Sequence, residues 1–433
     1  MPVPTFPGAF APTVATIRGA TLEFHPTLHL GEEYTDNFFL TSTRTEENFR
    51  SIFGPGFTLL LNGARTFGAL STTVDVVHDT ASHSGDEVKV FPSVTAAVRY
   101  TFEPRLSLTV TDSYIRNDGA STADQFGIRR GRQTFESNSF TTAVDWIIDQ
   151  FATQAYYKNT LFINEGSNNT SSGAGAVGFG QSDTLTHILG VNGSTRIATD
   201  YTARLGYEFS RTDTLNGGSS SNSTGHLVFG SLSRQFGLFT TGGVSSSYSH
   251  QTLNNTNIVN VSLFGAYGLP TGLSVSSSVG YSLLNSDTES GTSSFTTNTA
   301  VAYRFTKAVI SVGVFQDFRQ TAQQGQNFGT VQTRSYFGSF LYQITPFINT
   351  TLQATYTENE PTGTGNTTSG KTETILTAGP SVNWQILRWL VASLSYTWSK
   401  RTGSSAFDSS SSGVTSTGDI VENRAVLKLF ATF

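Results

Sequence analysis

Three arginines, Arg129, Arg130 and Arg132, lie within four residues of one another in the segment 117–133. A guanidinium group stays charged in proteins and binds carboxylates and phosphates through paired N–H donors. This spacing predicts a basic patch that holds anionic solutes or sugar-acid groups. The residues leave one alternative open, a solvated loop whose arginines contact phosphate groups outside the molecule.

Two histidines, His25 and His29, form the closest pair of possible metal ligands. If their segment is extended, four residues at about 3.3 Å each separate them by about 13 Å, too far for one metal ion. The other histidines are dispersed and match no metal spacing: His78, His83, His187, His226 and His250. With Cys 0, disulfides and thiolate sites are excluded, as is covalent haem attachment. The sequence predicts no metal and no cofactor.

Catalytic constellations are missing from the chain. A hydrolase triad needs a nucleophile beside an oriented histidine, and no G-x-S-x-G elbow occurs. The glycine-rich run 173–180 (GAGAVGFG) lacks the Lys-Ser/Thr pair of a phosphate-binding loop. Lys and Arg are scattered without a basic helix, so we expect no nucleic-acid partner. We also expect no enzyme activity.

Composition separates the chain from ordinary soluble domains. Charged residues make up 13%, about half the globular norm of roughly 25%. Gly 42, Phe 33 and Tyr 15 are high, and this aromatic content argues against disorder. No run approaches the ~18 apolar residues of a membrane-spanning helix. A β-barrel avoids that requirement, because only alternate residues of its strands face lipid.

Alternation of apolar and polar residues is clearest in the segment 421–433. Reading back in steps of two from Phe433 gives apolar residues, whereas the interleaved positions are mostly polar or charged. A strand turns successive side chains to opposite faces, so this is a ribbon with one apolar face. The same pattern recurs at 22–30, 94–102, 106–111, 201–210, 273–283 and 390–398. The polar face is rich in Ser, Thr and Gly, which predicts a wetted wall.

Connection lengths give a second, independent signal. Short turns fall at 62–64, 103–104, 148–149, 198–200, 236–237, 269–272, 306–307, 345–346 and 387–388. Longer Gly/Ser/Asn-rich segments alternate with them at 36–48, 79–87, 117–133, 163–182, 213–222, 251–255, 286–292, 321–329, 361–370 and 402–418. Short periplasmic turns and long extracellular loops are typical of outer-membrane barrels. The chain is therefore predicted to be all-β, a transmembrane antiparallel up-and-down β-barrel of about 20 strands (roughly 18–22).

The predicted organisation is a periplasmic N-terminal segment, 1–20, followed by a single barrel domain, 21–433. The first twenty residues contain no basic region followed by an apolar stretch, so we expect that an export signal was removed and replaced by a start Met. A soluble propeller is the main competitor. It would repeat a motif about every 40 to 50 residues, and none recurs here.

Charged residues at inward positions are the candidate selectivity residues of the lumen. These are Arg99, Arg204, Glu208, Arg304, Asp317, Arg319, Arg424 and Lys428, with Glu422 beside them. Basic residues exceed acidic ones in this set, which predicts a mild preference for anions. The alternative is a wall of paired charges that orders water and stiffens the barrel. Arg129, Arg130 and Arg132 would form a constriction if their loop folds into the lumen, or would meet lipopolysaccharide if it stays outside.

The segment 32–40 (EEYTDNFFL) resembles a pattern of the β-barrel porin type 2 (BBP2-like) family, whose members include proteins associated with exopolysaccharide and exosortase genes. The matching residues are Glu33, Tyr34, Asp36, Asn37, Phe38 and Phe39. The terminal Phe433 is similar to the aromatic residue that ends the closing strand of bacterial outer-membrane barrels. The resemblance implies an outer-membrane channel and transfers no catalytic residue.

These observations predict a porin-like channel in the bacterial outer membrane that passes small solutes or polymer passively. Two alternatives stay open: a partner-bound conduit for exopolysaccharide export or for a cytochrome, and a surface-interaction barrel with adhesive loops. The expected surroundings are outer-membrane lipid and lipopolysaccharide, and the sequence leaves open a periplasmic or extracellular protein partner. Both a monomer and a homo-trimer are compatible with the sequence.

Overall fold

β-Strands make up nearly all the regular structure of the described residues. The structure, a computed structural model, describes residues 13–17, 20–38, 40, 45–80, 87–118, 134–165, 183–215, 222–252, 255–287, 289–320, 330–361, 372–403 and 419–433. The strands are β1 (Thr13–Ile17), β2 (Ala20–Thr35), β3 (Asn48–Asn62), β4 (Thr66–Asp79), β5 (Glu87–Glu103), β6 (Leu106–Asn117), β7 (Phe135–Ile148), β8 (Phe151–Asn164), β9 (Thr184–Ala198), β10 (Tyr201–Thr214), β11 (Ser223–Gln235), β12 (Thr240–Gln251), β13 (Thr256–Gly268), β14 (Leu273–Ser286), β15 (Glu289–Arg304), β16 (Ala308–Gln320), β17 (Thr330–Thr345), β18 (Ile348–Pro361), β19 (Glu373–Leu387), β20 (Leu390–Thr402) and β21 (Ile420–Thr432). Among these residues, no helix is long and apolar enough to cross a membrane.

Each strand from β2 to β21 pairs antiparallel with its neighbours in sequence, and β2 pairs with β21 to close the ring. The closing ladder runs from Thr27 opposite Thr432 to Thr35 opposite Arg424. Closer to the start of β2, β1 pairs with the edge of β2 that β21 leaves unpaired, with Ile17 opposite Ala20. The predicted closed antiparallel barrel of about twenty strands is confirmed.

The two ends of the barrel differ in their connections. At one end, here called the turn end, nine turns of two to four residues join the strands, as predicted. The long connections lie at the other end, here called the outer end. One predicted connection is wrong: β14 ends at Ser286 and β15 begins at Glu289, so 286–292 is mostly strand. Gly291 adopts a positive φ of 71° within β15.

The outward face is apolar and carries aromatic residues near both ends. At the turn end, aromatic pairs such as Tyr100–Phe102 and Tyr303–Phe305 have ring centroids 4.8 and 4.5 Å apart. Tyr336 and Tyr356 pair towards the outer end. Leu205 and Leu263 between the two levels are each 66% exposed, which in water would be unfavourable over so large a surface. Such a band between two aromatic levels is the lipid-facing surface of a membrane barrel.

Candidate functional site: the lumen wall

Ser, Thr and Gly dominate the inward wall, because they occupy the polar phase of the alternation in most strands. On β12 and β13, Ser245 and Ser262 face each other across the ladder with their hydroxyl oxygens 2.7 Å apart. The outward residues beside them are Val244, Val261 and Leu263, all exposed on the lipid side. Small hydroxyl side chains leave room in the lumen and bind water. The strand period therefore positions a hydrophilic lining without a packed core.

Exposure of the inward side chains falls from the turn end to the outer end. Thr202 and Arg204 on β10 and Lys428 on β21 are exposed. By contrast, Leu284, Val331 and Glu373 near the outer end are 1%, 1% and 0% exposed. Inward side chains with almost no exposure recur on most strands at this level. The inward side chains are therefore accessible to solvent towards the turn end and covered by other residues at the outer end.

A buried group of charges, here called the outer charge cluster, consists of Arg50, Asp79 and Asp118. Arg50 donates from Nε and Nη2 to the two carboxylate oxygens of Asp79, at 2.7 and 2.8 Å. It also donates from Nη1 to Asp118 Oδ1 at 2.9 Å. The side chains are 7%, 1% and 4% exposed. Asn48 donates a further bond to Asp79, and the Phe38 ring lies 5.9 Å from the guanidinium carbon.

Further buried polar pairs line the outer end where the barrel closes. Arg424 on β21 donates to Glu33 on β2 at 2.9 Å, which ties the two closing strands together. Glu422 accepts bonds from Thr35 at 3.3 Å and from Ser399 at 3.4 Å. Arg401 and Glu373 form another ion pair between β20 and β19. A buried charge is costly unless it is paired and hydrogen-bonded, so these partners account for charges inside the wall.

The predicted selectivity residues do not form one cluster. Arg99 is exposed and donates to Ser107 at 3.3 Å, whereas Arg304 is exposed at the last residue of β15. Asp317 accepts a bond from the backbone N–H of Phe318 at 2.8 Å. Of Arg319 only the backbone, paired with Val331, is described. Glu208 accepts a bond from the Tyr156 hydroxyl at 2.5 Å, and Arg204, Arg424 and Lys428 lie on other parts of the inward wall. Arg129, Arg130 and Arg132 lie outside the described residues.

The inward histidines each pair with a different carboxylate. His25 Nε2 lies 3.4 Å from Glu23 Oε2, and His29 Nε2 lies 3.4 Å from Asp75 Oδ1. The imidazole of His29 reaches β4 by lying across Gly54 of β3, where a Cβ atom would overlap it. Within the described ranges, no group of three or more His, Cys, Asp or Glu side chains could hold a metal ion.

Aromatic rings that cover inward glycines are a feature that sequence reasoning missed. The Tyr156 ring covers Gly190, the Phe229 ring covers Gly206, and a Cβ atom at either glycine would overlap a ring carbon. Both glycines are buried, although neither ring is. The available signal was an aromatic residue in the polar phase of its strand with a glycine on the neighbouring strand. Only the strand register shows that the aromatic residue and the glycine lie opposite each other.

One further ion pair at the outer end joins Arg116 on β6 to Glu165, the residue after β8. Arg116 donates to both carboxylate oxygens of Glu165, each at 2.7 Å. This guanidinium holds the pKa of the Glu165 carboxyl below its usual range. Both side chains are about one-third exposed, at 31% and 34%, unlike those of the outer charge cluster.

Comparison with solved structures finds large outer-membrane barrels. The siderophore receptor PirA from Pseudomonas aeruginosa matches with a TM-score of 0.54 at 9% identity, over 95% of this chain and 80% of that chain. The FrpB iron transporter from Neisseria meningitidis gives 0.54 at 10% identity, over 94% and 82%. A ferric enterobactin receptor (PfeA) mutant from Pseudomonas aeruginosa gives 0.52 at 11%, over 95% and 80%.

The chain has the fold of the bacterial outer-membrane β-barrels. The apolar outward band and the closed ring agree with this likeness, and the predicted location in the bacterial outer membrane is confirmed. No protein-family model matches the chain, and the search of curated proteins also found no match. The resemblance of residues 32–40 to the β-barrel porin type 2 family therefore stays a prediction.

Proposed function

We propose that the protein is a channel through which small polar solutes, or a polar polymer, cross the outer membrane passively. The observation that carries this proposal is the exposed polar wall of the turn-end half, with residues such as Thr202, Arg204 and Lys428. Barrels of about eight strands fill their interior with side chains, and much larger ones leave an aqueous passage. A twenty-strand ring lined by hydroxyl groups belongs to the second kind.

The narrow section of this channel lies at the outer end, where the inward side chains are buried. Solutes would therefore meet paired charges and apolar side chains there before they reach the open wall. Size selection is expected at the outer end, and weak interactions with polar groups are expected in the turn-end half. The proteins of known structure compared above are named as receptors and a transporter, which is compatible with a transport role.

Single-channel recording in planar bilayers tests the proposal. We expect stepwise conductance from refolded protein, and an ion-impermeable barrel would refute a diffusion channel. Because the chain has Cys 0, single cysteines can be placed at will. A charged, membrane-impermeant thiol reagent should alter the conductance of Ser231→Cys, whose residue faces inward. It should leave Leu232→Cys unchanged, since Leu232 is exposed on the lipid side.

The mild anion preference predicted from the inward arginines can be measured in the same recordings. Arg424 is paired with Glu33, and inward carboxylates such as Asp75 and Asp145 add negative charge that the predicted set did not include. The reversal potential in a salt gradient gives the preference directly. A cation-selective wild type would reject it.

We also propose that lipopolysaccharide surrounds the outer end of the barrel. His187, Arg211 and His226 face outward on adjacent strands there, and the rings of His226 and His250 stack at 6.4 Å. The Tyr157 hydroxyl lies 2.8 Å from Nδ1 of His187, and the Tyr207 hydroxyl lies 2.8 Å from Nδ1 of His226. Neither of these two bonds uses the Nε2 atom of its histidine. Phosphorylated lipid A should be retained more weakly by the double variant His226→Ala, His250→Ala in native mass spectra. Equal retention would argue against this contact.

A further inference from the structure

A chain of planar polar side chains crosses four neighbouring strands of the inward wall. Gln154 on β8 donates to Asp145 on β7 at 2.8 Å, and Asn192 on β9 donates to Gln154 Oε1 at 3.3 Å. Arg204 on β10 continues the chain with a long bond of 3.5 Å to Asn192 Oδ1. These contacts hold carboxylate, amide and guanidinium groups side by side without burying them.

Two aromatic rings border this chain on the same wall. The Tyr156 ring lies over Gly190 and its hydroxyl donates to Glu208 at 2.5 Å, so both contacts hold the hydroxyl end of the ring. The Phe229 ring lies over Gly206, and the guanidinium carbon of Arg204 is 5.5 Å from its centroid. We call Asp145, Gln154, Tyr156, Asn192, Arg204, Glu208 and Phe229 the β7–β11 wall.

These groups together match the chemistry of a sugar. The face of an aromatic ring carries negative charge density and attracts the electropositive C–H groups of a pyranose face. Amides, carboxylates and guanidinium groups offer donors and acceptors in fixed planes to neighbouring hydroxyl groups. A site with a few placed polar groups beside apolar faces is the usual form of a specific binding site.

Charge on the wall favours a neutral solute. Arg204 and Glu208 lie four residues apart on the same face of β10, and Lys158 is exposed at the next inward position after Tyr156 on β8. Asp145 ends the hydrogen-bonded chain with a second carboxylate. A phosphate or polyanion would meet these carboxylates as well as the arginine, whereas a hydroxylated neutral molecule can bind both signs.

We propose that the β7–β11 wall is a binding subsite for neutral oligosaccharides inside the lumen. The proposal rests on the channel function proposed above and names its substrate class. Successive sugar rings would lie against Tyr156 and against the Arg204–Phe229 stack, with their hydroxyl groups bonded to Asn192 and Gln154.

Current block by sugar in the bilayer recordings tests this subsite. Maltohexaose, as a neutral probe, should block the open channel reversibly and in a concentration-dependent way. The double variant Tyr156→Leu, Phe229→Leu should raise the half-blocking concentration about tenfold, which corresponds to about 1.4 kcal/mol. The control variant is Phe264→Leu, because the Phe264 ring lies near another lumen glycine, Gly243, outside the wall. It should leave the block unchanged.

Several outcomes would overturn the subsite while leaving the channel intact. They are equal block of wild type and the double variant, equal block by polyethylene glycol of similar size, and block by oligogalacturonate in preference to maltohexaose. If no conductance appears at all, the channel proposal fails by itself. Titration calorimetry of the detergent-solubilised protein with maltohexaose then tests the subsite. Binding heat that is present in wild type and lost in the double variant supports the subsite, whereas no binding heat in wild type refutes it.

Discussion

The outer charge cluster and the β7–β11 wall contain the same kinds of side chain, but the cluster is buried and the wall is accessible to solvent. The Arg50 side chain is 7% exposed and is bonded to two carboxylates, whereas Arg204 is exposed and has one long bond and one ring beneath it. Both arginines face inward on one barrel. The buried arginine has its charge neutralised by fixed partners, and the exposed arginine keeps donors free for a solute.

Burial therefore separates a structural role from a binding role among inward charges. A buried ion pair adds little over an apolar pair of equal size, but removing one partner leaves an uncompensated charge. An exposed group loses little when its partner is removed, since water takes its place. The following predictions test this difference, from the largest expected effect to the smallest.

The largest effect is expected for Arg50→Ala, which leaves Asp79 and Asp118 buried without their shared cation. The free energy of unfolding should fall by about 3–5 kcal/mol. Urea unfolding of the protein in lipid vesicles, followed by tryptophan fluorescence, measures it. Arg204→Ala is the matched control, with an expected loss below about 1 kcal/mol. Equal losses would show that burial does not distinguish the two regions.

A smaller effect is expected where a ring lies over a glycine. Gly190→Ala would place a methyl group inside the Tyr156 ring and force that ring off the wall. We expect a loss of about 1–3 kcal/mol, typical of overpacking. The control is Gly338→Ala on β17, where a Cβ atom meets nothing within 4 Å. Its stability should change by less than about 0.5 kcal/mol, and an equal loss at both sites would contradict the ring placement.

Much of the fold could be predicted because the strand period and the connection lengths are local properties. Alternation in 421–433 already assigned Arg424 and Glu422 to the inward face, and their bonds to Glu33 and Thr35 agree. The segment 286–292 was mispredicted because Ser, Thr and Gly occur both in loops and in the polar phase of these strands. Composition does not distinguish loops from such strands, whereas backbone pairing does.

The site was harder to predict because alternation gives the face of a residue but not its height or its neighbours. Arg50 and Asp79 lie directly opposite each other, yet only the register of β3 and β4 shows this. Phe229 stands in a polar phase and was passed over, although Gly206 lies opposite it on β10. Register depends on the whole barrel closing, so it could not be read from single segments.

The hydroxyl of Tyr156 gives a finer test of the exposed wall. Tyr156→Phe keeps the ring over Gly190 and removes the 2.5 Å bond to Glu208. Because water in the lumen can solvate the Glu208 carboxylate, we expect a loss of only about 0.5–1.5 kcal/mol in unfolding free energy. A loss above about 3 kcal/mol would mean that this wall is as dry as the outer charge cluster.

The smallest effect is expected at the Arg116–Glu165 pair, the solvated counterpart of the buried cluster. Its arginine holds the pKa of Glu165 below the unfolded value of about 4.3. The stabilisation is therefore present above pH ~4.3 and is lost as the pH falls through the lower folded pKa. With both side chains about one-third exposed, screening limits it to about 0.2–1 kcal/mol. Above pH ~5, Glu165→Gln should be less stable than wild type by this amount in low salt, and the difference should shrink at lower pH and in ~1 M salt. A difference that persists through both changes would show that the pair is shielded from solvent like Arg50 and its carboxylates.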